Sequence, residues 1–199
     1  MTTTTPRRTG KRAAETAERK ARLIVAAFEL AAEGGYEAVM MRDVAARADV
    51  AIGTLYRHYT SKDQLLLAAL AQEAAMLRKT LERRTLTGAT PAERVAEVLR
   101  MASVPLEGNP KVTAAMLNAL FTNDPEGIIE RIVVRDHLIS MIAFALEGSD
   151  VADIEGVIDV LGHTWFATLA FWASGLSDGK PMADRLERAA HLILDTAPS

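Results

Sequence analysis

Three similar pairs of residues occur between positions 90 and 125 of this chain. In each pair, a residue that can cap a helix is followed by proline. The pairs are Thr90-Pro91, Asn109-Pro110 and Asp124-Pro125. Proline suits the first position of a helix because its missing N–H would have no partner there. Thr, Asn or Asp just before the proline can accept a hydrogen bond from the first turn of the helix. Each pair therefore predicts the start of a helix.

The rest of the chain also has a helical pattern, because Ala, Leu, Glu and Arg are abundant and no stretch alternates β-branched residues. Gly34-Gly35, Gly148 and residues 175–180 are the expected breaks, and Ser61 with Gln64 forms a capping box. The pattern predicts an all-α fold of about nine helices, at 15–33, 41–48, 51–59, 62–85, 91–106, 110–122, 125–147, 151–174 and 181–196.

Several classes of protein are excluded by what the sequence lacks. The 199 residues contain no cysteine, which removes disulfides, thiolate nucleophiles and cysteine-bound metals. Apolar runs end well before 18 residues, and residues 1–12 hold no apolar stretch, so we expect no membrane span, no secretory signal and a cytoplasmic location. No catalytic group, metal site or cofactor is expected, since His58, His137, His163 and His191 lack ligand spacing and no nucleophile pairs with a base.

Charge is distributed unevenly along the chain. Residues 1–62 carry eleven Lys or Arg against seven Asp or Glu, whereas residues 63–199 carry twelve against nineteen. Seven of the basic residues lie within the segment from Arg7 to Arg22. The imbalance between a basic N-terminal third and an acidic remainder predicts that the two parts have different roles.

The segment from Met41 to Tyr59 has the pattern of a helix-turn-helix. Val44 and Ala45 give the first short helix an apolar face, and Leu55 and Tyr59 give one to the second. In such a motif the second helix enters the major groove of DNA. Small, hydroxyl and cationic side chains, which suit phosphates and base edges, occupy its outward positions: Ile52, Gly53, Thr54, Tyr56, Arg57 and His58.

At these residues the chain resembles the TetR family of bacterial transcriptional regulators. The resemblance is carried by Gly34-Gly35-Tyr36, Met41-Arg42-Asp43-Val44-Ala45, Gly53-Thr54-Leu55-Tyr56-Arg57-His58-Tyr59 and Ser61-Lys62. It implies a DNA-binding head of three helices, residues 1–62 with the basic arm, and a ligand-binding and dimerising body, residues 63–199. It also implies that Lys62 and Arg42 bind DNA phosphates. The duplex-DNA operator is then the expected partner, with the protein associated with the nucleoid when bound.

A narrower resemblance is to the actinobacterial repressors of sterol catabolism. It rests on Gly35-Tyr36-Glu37-Ala38-Val39, Arg47-Ala48-Asp49-Val50-Ala51, Gly88-Ala89-Thr90-Pro91, Asn109-Pro110 and Thr113-Ala114-Ala115-Met116. It implies that the effector is a large apolar molecule, steroid-like and carried as an acyl-CoA thioester.

The body contains bulky apolar residues at helical spacing. Such stripes are usually packed core, but methionine also lines sites for bulky apolar ligands. The candidate effector contacts are Met101, Met116, Leu117, Leu120, Phe121, Met141, Phe144, Trp165 and Leu169. Trp165 and the following Phe166 are expected to face different sides of their helix, one towards the ligand and one towards a partner subunit.

Together these patterns favour a ligand-responsive repressor that binds a palindromic operator as a homodimer. The last two helices, 151–174 and 181–196, carry apolar residues on more than one face, which predicts a two-fold four-helix interface. Two alternatives stay open: a helical small-molecule-binding protein or cofactor-free enzyme, and a multidrug-type sensor or activator with a different effector.

Overall fold

A computed structural model of the chain describes residues 7–122, 124–177 and 179–195, with the side chains of residues 7–10 outside that description. Within those residues it contains nine α-helices and no strand, which confirms the predicted fold class. The helices are α1 (Arg7–Ala38), α2 (Met41–Arg47), α3 (Ile52–His58), α4 (Lys62–Glu82), α5 (Pro91–Gly108), α6 (Pro110–Phe121), α7 (Ile128–Ala145), α8 (Ile154–Ala173) and α9 (Met182–Leu194). None of these helices is long and apolar enough to cross a membrane.

The first helix begins earlier than the sequence pattern predicts. It starts at Arg7 instead of residue 15, because the Ala, Arg, Lys and Glu residues of the basic arm are themselves good helix formers. Glu15 and Arg19 add an ion pair one turn apart. At the other end, Gly35 has a φ of 70°, a value that side chains disfavour, so regular helix ends at the predicted glycine pair.

Side-chain caps mark the starts of three other α-helices, α4, α5 and α8. Thr90 and Glu93 form a complete capping box at α5. Asp124 instead caps a short 3-10 turn, Pro125–Gly127, so that α7 begins at Ile128 and not at 125. The side chain of Asn109 makes no cap hydrogen bond. Proline at the first position is therefore the feature that correctly marks the start of α6.

Two large clusters of buried residues organise the packing. The first joins α1, α2, α3 and α4 to one face of α6, through residues such as Leu23, Leu55, Leu66 and Met116. The second joins α5, α7, α8 and α9 around Leu99, Ile142, Leu161 and Leu186. Because α4 and α6 carry residues of the first cluster and also approach α7 and α8, they connect the N-terminal helices to the rest of the chain.

Candidate DNA-binding surface and effector cavity

Helices α2 and α3 cross with small and apolar residues at their contact. Val44 and Leu55 are fully buried, and Tyr59 is 5% exposed. The chain turns between them at Asp49, which has a φ of 51°, a conformation that Asp adopts more readily than most residues. This local geometry fixes which side of α3 points outwards.

The outward side of α3 consists of the residues that the helix-turn-helix pattern selects. Ile52, Gly53, Tyr56 and Arg57 are exposed, and Thr54 and His58 are half-buried. Tyr56 is 50% exposed whereas Tyr59 is buried, as the spacing of the two tyrosines predicts. DNA contacts by these side chains stay a prediction.

The surface around α3 is positively charged. Burial, together with the charges of Lys20, Arg57 and Arg19, lowers the pKa of His58 below its ordinary value of 6.5. These charges show that part of the basic arm lies beside α3. The arm's Arg7 and Arg8 side chains lie outside the described residues.

Lys62, the predicted phosphate contact, lies at the start of α4 against Tyr36. Its Nζ is 3.6 Å from the centre of the Tyr36 ring and 3.9 Å from Glu37 Oε2. The Tyr36 hydroxyl donates a 2.5 Å hydrogen bond to Asp63 Oδ1. Burial and this bond raise the pKa of Tyr36 to about 12, so the phenol stays protonated. Arg42, the other predicted phosphate contact, is exposed at the start of α2.

Ionic contacts hold α2 against α1 and α1 against α6. Arg47 donates two hydrogen bonds, of 2.6 and 3.1 Å, to the two carboxylate oxygens of Glu33. This bidentate pair lowers the pKa of Glu33. On the other side of the same residue, Lys111 Nζ donates to the backbone oxygen of Glu33 at 2.8 Å. A residue of α6 therefore contacts the part of α1 to which α2 is also bonded.

A cavity of about 570 Å³ lies among α4, α5, α6, α7 and α8. This volume falls within the range of small-molecule sites. Its wall is mainly apolar, and it is lined by Leu70, Leu106, Thr113, Met116, Leu117, Leu120, Arg131, Val134, Arg135, Leu138, Ile139, Glu155, Ile158, Asp159, Gly162, His163, Trp165, Phe166 and Leu169.

The structure brings five of the nine candidate ligand contacts to this cavity: Met116, Leu117, Leu120, Trp165 and Leu169. The other four do not line it. Met101, Met141 and Phe144 pack in the second core cluster, and the last residue of α7 that lines the cavity is Ile139. Phe121 is 55% exposed, since it follows Leu120 and so projects to another side of α6.

Trp165 and Phe166 do not separate as expected. Both line the cavity, because it is wide enough to meet adjacent faces of α8. Trp165 Nε1 donates a 3.1 Å hydrogen bond to the fully buried Ser103 Oγ. Phe166 meets the ring of Phe121 edge to face, with centroids 5.1 Å apart. Phe166 thus lines the cavity while it stays 38% exposed, and its contact with a partner subunit stays a prediction.

The polar rim of the cavity was missed in the sequence analysis. It comprises Arg131 and Arg135 on α7, and Glu155, Asp159 and His163 on α8. The α7 side is therefore cationic and the α8 side largely anionic. One signal was available, since Arg131 and Arg135 are one turn apart within an otherwise mostly apolar helix.

Comparisons with known proteins agree with this architecture. Residues 23–69 match the bacterial regulatory proteins of the tetR family, and residues 88–193 match the tetracyclin repressor-like C-terminal domain. The HTH-type transcriptional repressor KstR of Mycolicibacterium smegmatis is 34% identical over 180 residues, which cover 90% of this chain and 88% of that protein. KstR of Mycobacterium tuberculosis is 34% identical over 178 residues, with coverages of 89% and 81%.

Solved structures show the same fold. A TetR transcriptional regulator from Rhodococcus sp. RHA1 has a TM-score of 0.79 and 25% identity, covering 92% of this chain and all of that one. FadR of Thermus thermophilus, a repressor solved with lauroyl-CoA, has a TM-score of 0.71 and 23% identity, with coverages of 90% and 99%. The family matches, the KstR relatives and the helix-turn-helix geometry lead to one conclusion: the chain belongs to the TetR family of bacterial transcriptional regulators, and it is similar to the repressors named KstR.

Proposed function

We propose that this protein is a repressor that binds a palindromic operator as a homodimer and leaves it when a large apolar effector fills the cavity. The observation that carries the proposal is that the cavity is bounded by α4 and α6, the two helices that also pack against the N-terminal helices. Residues 1–62 then act as the DNA-binding head and residues 63–199 as the effector-binding and dimerising body.

For DNA binding, we propose that α3 enters the major groove with Thr54 and His58 near base edges. Tyr56, Arg57, Lys62 and Arg42 contact phosphates. Phosphate contacts position the protein and base contacts specify the sequence. The support is the exposure of the outward side of α3 and the positive charge around it.

For dimerisation, we propose that α8 and α9 of two subunits form a four-helix interface. Val160 and Phe171 are 49% and 58% exposed on one face of α8, and Leu192 is 59% exposed on α9. Large exposed apolar side chains of this kind are typical of surfaces that a partner covers. An isologous contact between identical helices would place two heads at a fixed spacing on a palindrome.

For the effector, we propose a sterol-derived acyl-CoA. The apolar wall formed by residues such as Met116, Leu120 and Trp165 suits a bulky hydrocarbon, and the cationic Arg131 and Arg135 suit an anionic carrier at the rim. Similarity to the KstR repressors supports the same class. Two proteins with this fold were solved with lauroyl-CoA and stearoyl-CoA, so the fold accommodates an acyl chain.

The test begins with selection of the operator from random duplex DNA by the purified protein. Fluorescence anisotropy with that operator then follows its release by cholanoyl-CoA, with lauroyl-CoA, free cholanic acid and CoA alone as controls. We expect release by cholanoyl-CoA at the lowest concentration. Release by lauroyl-CoA alone would replace the sterol class with a fatty acyl class. Failure to enrich any sequence would refute the regulator function itself.

A further inference from the structure

Arg131 belongs both to the cavity wall and to the connection between α6 and α7. Its side chain lines the cavity. At the same time Nη1 donates to the backbone oxygen of Thr122 at 3.1 Å, and Nη2 donates to that of Asp124 at 2.6 Å. One guanidinium therefore ties the end of α6 to the segment that leads into α7.

The carboxylate of Asp124 continues this link to the start of α4. Its Oδ2 accepts a 2.6 Å hydrogen bond from Ser61 Oγ, and its Oδ1 accepts from the Glu126 backbone at 3.0 Å. The bond from Ser61 is the main cause that lowers the pKa of Asp124. Ser61 is also the N-cap of α4, since its Oγ accepts from the Gln64 backbone at 3.1 Å.

Two further contacts close the same region. Gln64 Nε2 donates to Glu130 Oε1 at 3.3 Å, and Gln64 Oε1 accepts from the Thr60 backbone at 2.8 Å. At Gly127, an added Cβ would lie 2.6 Å from Leu67 Cδ1, so the 3-10 turn approaches α4 as closely as glycine allows. We call the group Ser61, Gln64, Asp124, Glu130 and Arg131 the α4 joint.

Resting on the proposed function, we propose that Arg131 is the positioning residue through which the effector acts on the head. When the cavity is empty, Arg131 holds the carbonyl groups of Thr122 and Asp124, and Asp124 holds Ser61 at the cap of α4. An anionic group of the effector competes for the guanidinium and draws it away from the two carbonyl groups. The α4 joint then loosens, and the start of α4, with the phosphate-binding Lys62, shifts relative to DNA.

The chain supplies a matched control in Arg135. It lies one turn further along α7 and also lines the cavity, but it donates its hydrogen bonds to the neighbouring Asp136, at 3.2 and 3.0 Å. Arg131→Gln and Arg135→Gln remove the same charge from the same wall. Only the first removes the bonds to the connection between α6 and α7.

The first test needs no ligand. Hydrogen–deuterium exchange of the full-length variants is measured at the amides of residues 64–66. A lost hydrogen bond of ordinary strength corresponds to a change of about 2- to 10-fold in local opening. We expect exchange in Arg131→Gln to be faster by that factor, and exchange in Arg135→Gln to match the unmodified protein. Unchanged exchange in Arg131→Gln would overturn the proposal.

The second test measures coupling, as the ratio of the operator Kd with saturating cholanoyl-CoA to the Kd without it. Allosteric pairs commonly give a ratio of about 5 to 150. We expect that range for the unmodified protein and a ratio near one for Arg131→Gln. Arg135→Gln should need more cholanoyl-CoA to reach saturation, because it also loses a charge at the rim, but should reach the full ratio once saturated. Arg131→Lys keeps the charge for ligand binding but cannot bridge two carbonyl groups in the same way. It should bind cholanoyl-CoA and still show a reduced ratio.

The outcomes separate this proposal from the proposed function. A full ratio in Arg131→Gln or Arg131→Lys would overturn the role of Arg131 while leaving the effector site intact. No response of the unmodified protein to cholanoyl-CoA would refute the proposed effector, and the exchange comparison would then decide the α4 joint by itself.

Discussion

Replacing Gly162 with alanine tests whether the cavity is open space in the folded protein. Gly162 lies in the interior of α8 and lines the cavity. A Cβ added there would meet only Leu138 Cδ2, at 3.9 Å, which is ordinary van der Waals contact. The added methyl group therefore causes no strain, and alanine stabilises the fold because it reduces the conformational freedom of the unfolded chain.

The size of the effect follows from helix propensity. Glycine inside a helix is less stable than alanine by about 0.5–1 kcal/mol. In a chain of this length, 1 kcal/mol moves the melting temperature by about 2–4 °C. We therefore expect Gly162→Ala to raise the melting temperature by about 1–4 °C, measured by circular dichroism with the denaturant midpoint as a second reading.

The same substitution at Gly156 is the control. A Cβ there would collide with the carboxylate of Asp153, which accepts a 2.9 Å hydrogen bond from the Gly156 backbone and caps α8. Loss of an N-cap lowers stability by about 0.5–2 kcal/mol. The melting temperature of Gly156→Ala should therefore be lower than that of Gly162→Ala. A lower melting temperature for Gly162→Ala than for the unmodified protein would show that the wall at Gly162 is closed and would refute the reasoning.

A larger side chain at the same position connects stability to ligand binding. Gly162→Phe places a ring inside the cavity, where it occupies space that the effector needs. We expect effector affinity to fall by more than about tenfold, equivalent to 1.4 kcal/mol, while operator affinity is retained. Such a variant would repress permanently. Unchanged effector affinity, measured through Trp fluorescence, would place the effector elsewhere.

Three further predictions concern the two proposed interfaces. In salt titrations followed by anisotropy, Lys62→Ala should weaken binding to all DNA sequences and reduce the slope of log affinity against log salt concentration by about 0.9. Thr54→Ala should weaken the binding free energy by about 1–3 kcal/mol at the preferred sequence only. Sedimentation at micromolar concentration should show monomers for Phe171→Glu. It should show dimers for Val104→Glu, which changes a similarly exposed apolar residue on α5. A monomeric unmodified protein would refute the interface. Burial and neighbouring cations lower the pKa of His58 below 6.5 in the free protein, and nearby phosphates raise it in the complex. Operator binding should therefore take up a proton, so affinity should rise as pH falls below 6.5 towards the lowered pKa of the free protein, and should stay flatter in His58→Gln.

The helices and the helix-turn-helix could be predicted because their signals are local. Thr90 and Pro91 act within one turn of the helix that they start, and the spacing of Leu55, Tyr56 and Tyr59 alone decides which ring is buried. The early start of α1 was missed because the basic arm combines good helix formers with a charge density that is also typical of a solvated tail.

The spacing of apolar residues in the sequence could not distinguish residues that line the cavity from residues of the packed core. Met116 and Met141 are both nearly fully buried and both recur at helical spacing, yet only Met116 lines the cavity. The difference depends on which helices pack against each methionine in the folded chain, and the spacing of residues along one helix does not contain that information. Arg131 was missed for a related reason. Its partners are backbone oxygens, and every residue has one, so no sequence motif marks them.

Met116 has a consequence for how such a protein can change over evolution. Its side chain lines the cavity and also belongs to the buried cluster that supports α1, α2 and α3. A substitution selected for a new effector at this position therefore alters the packing beneath the recognition helix in the same step. If the proposed function holds, a substitution at Met116 changes ligand preference and operator affinity together. Adaptation to a new inducer should proceed first through wall residues outside that cluster, such as Leu169 and Ile158.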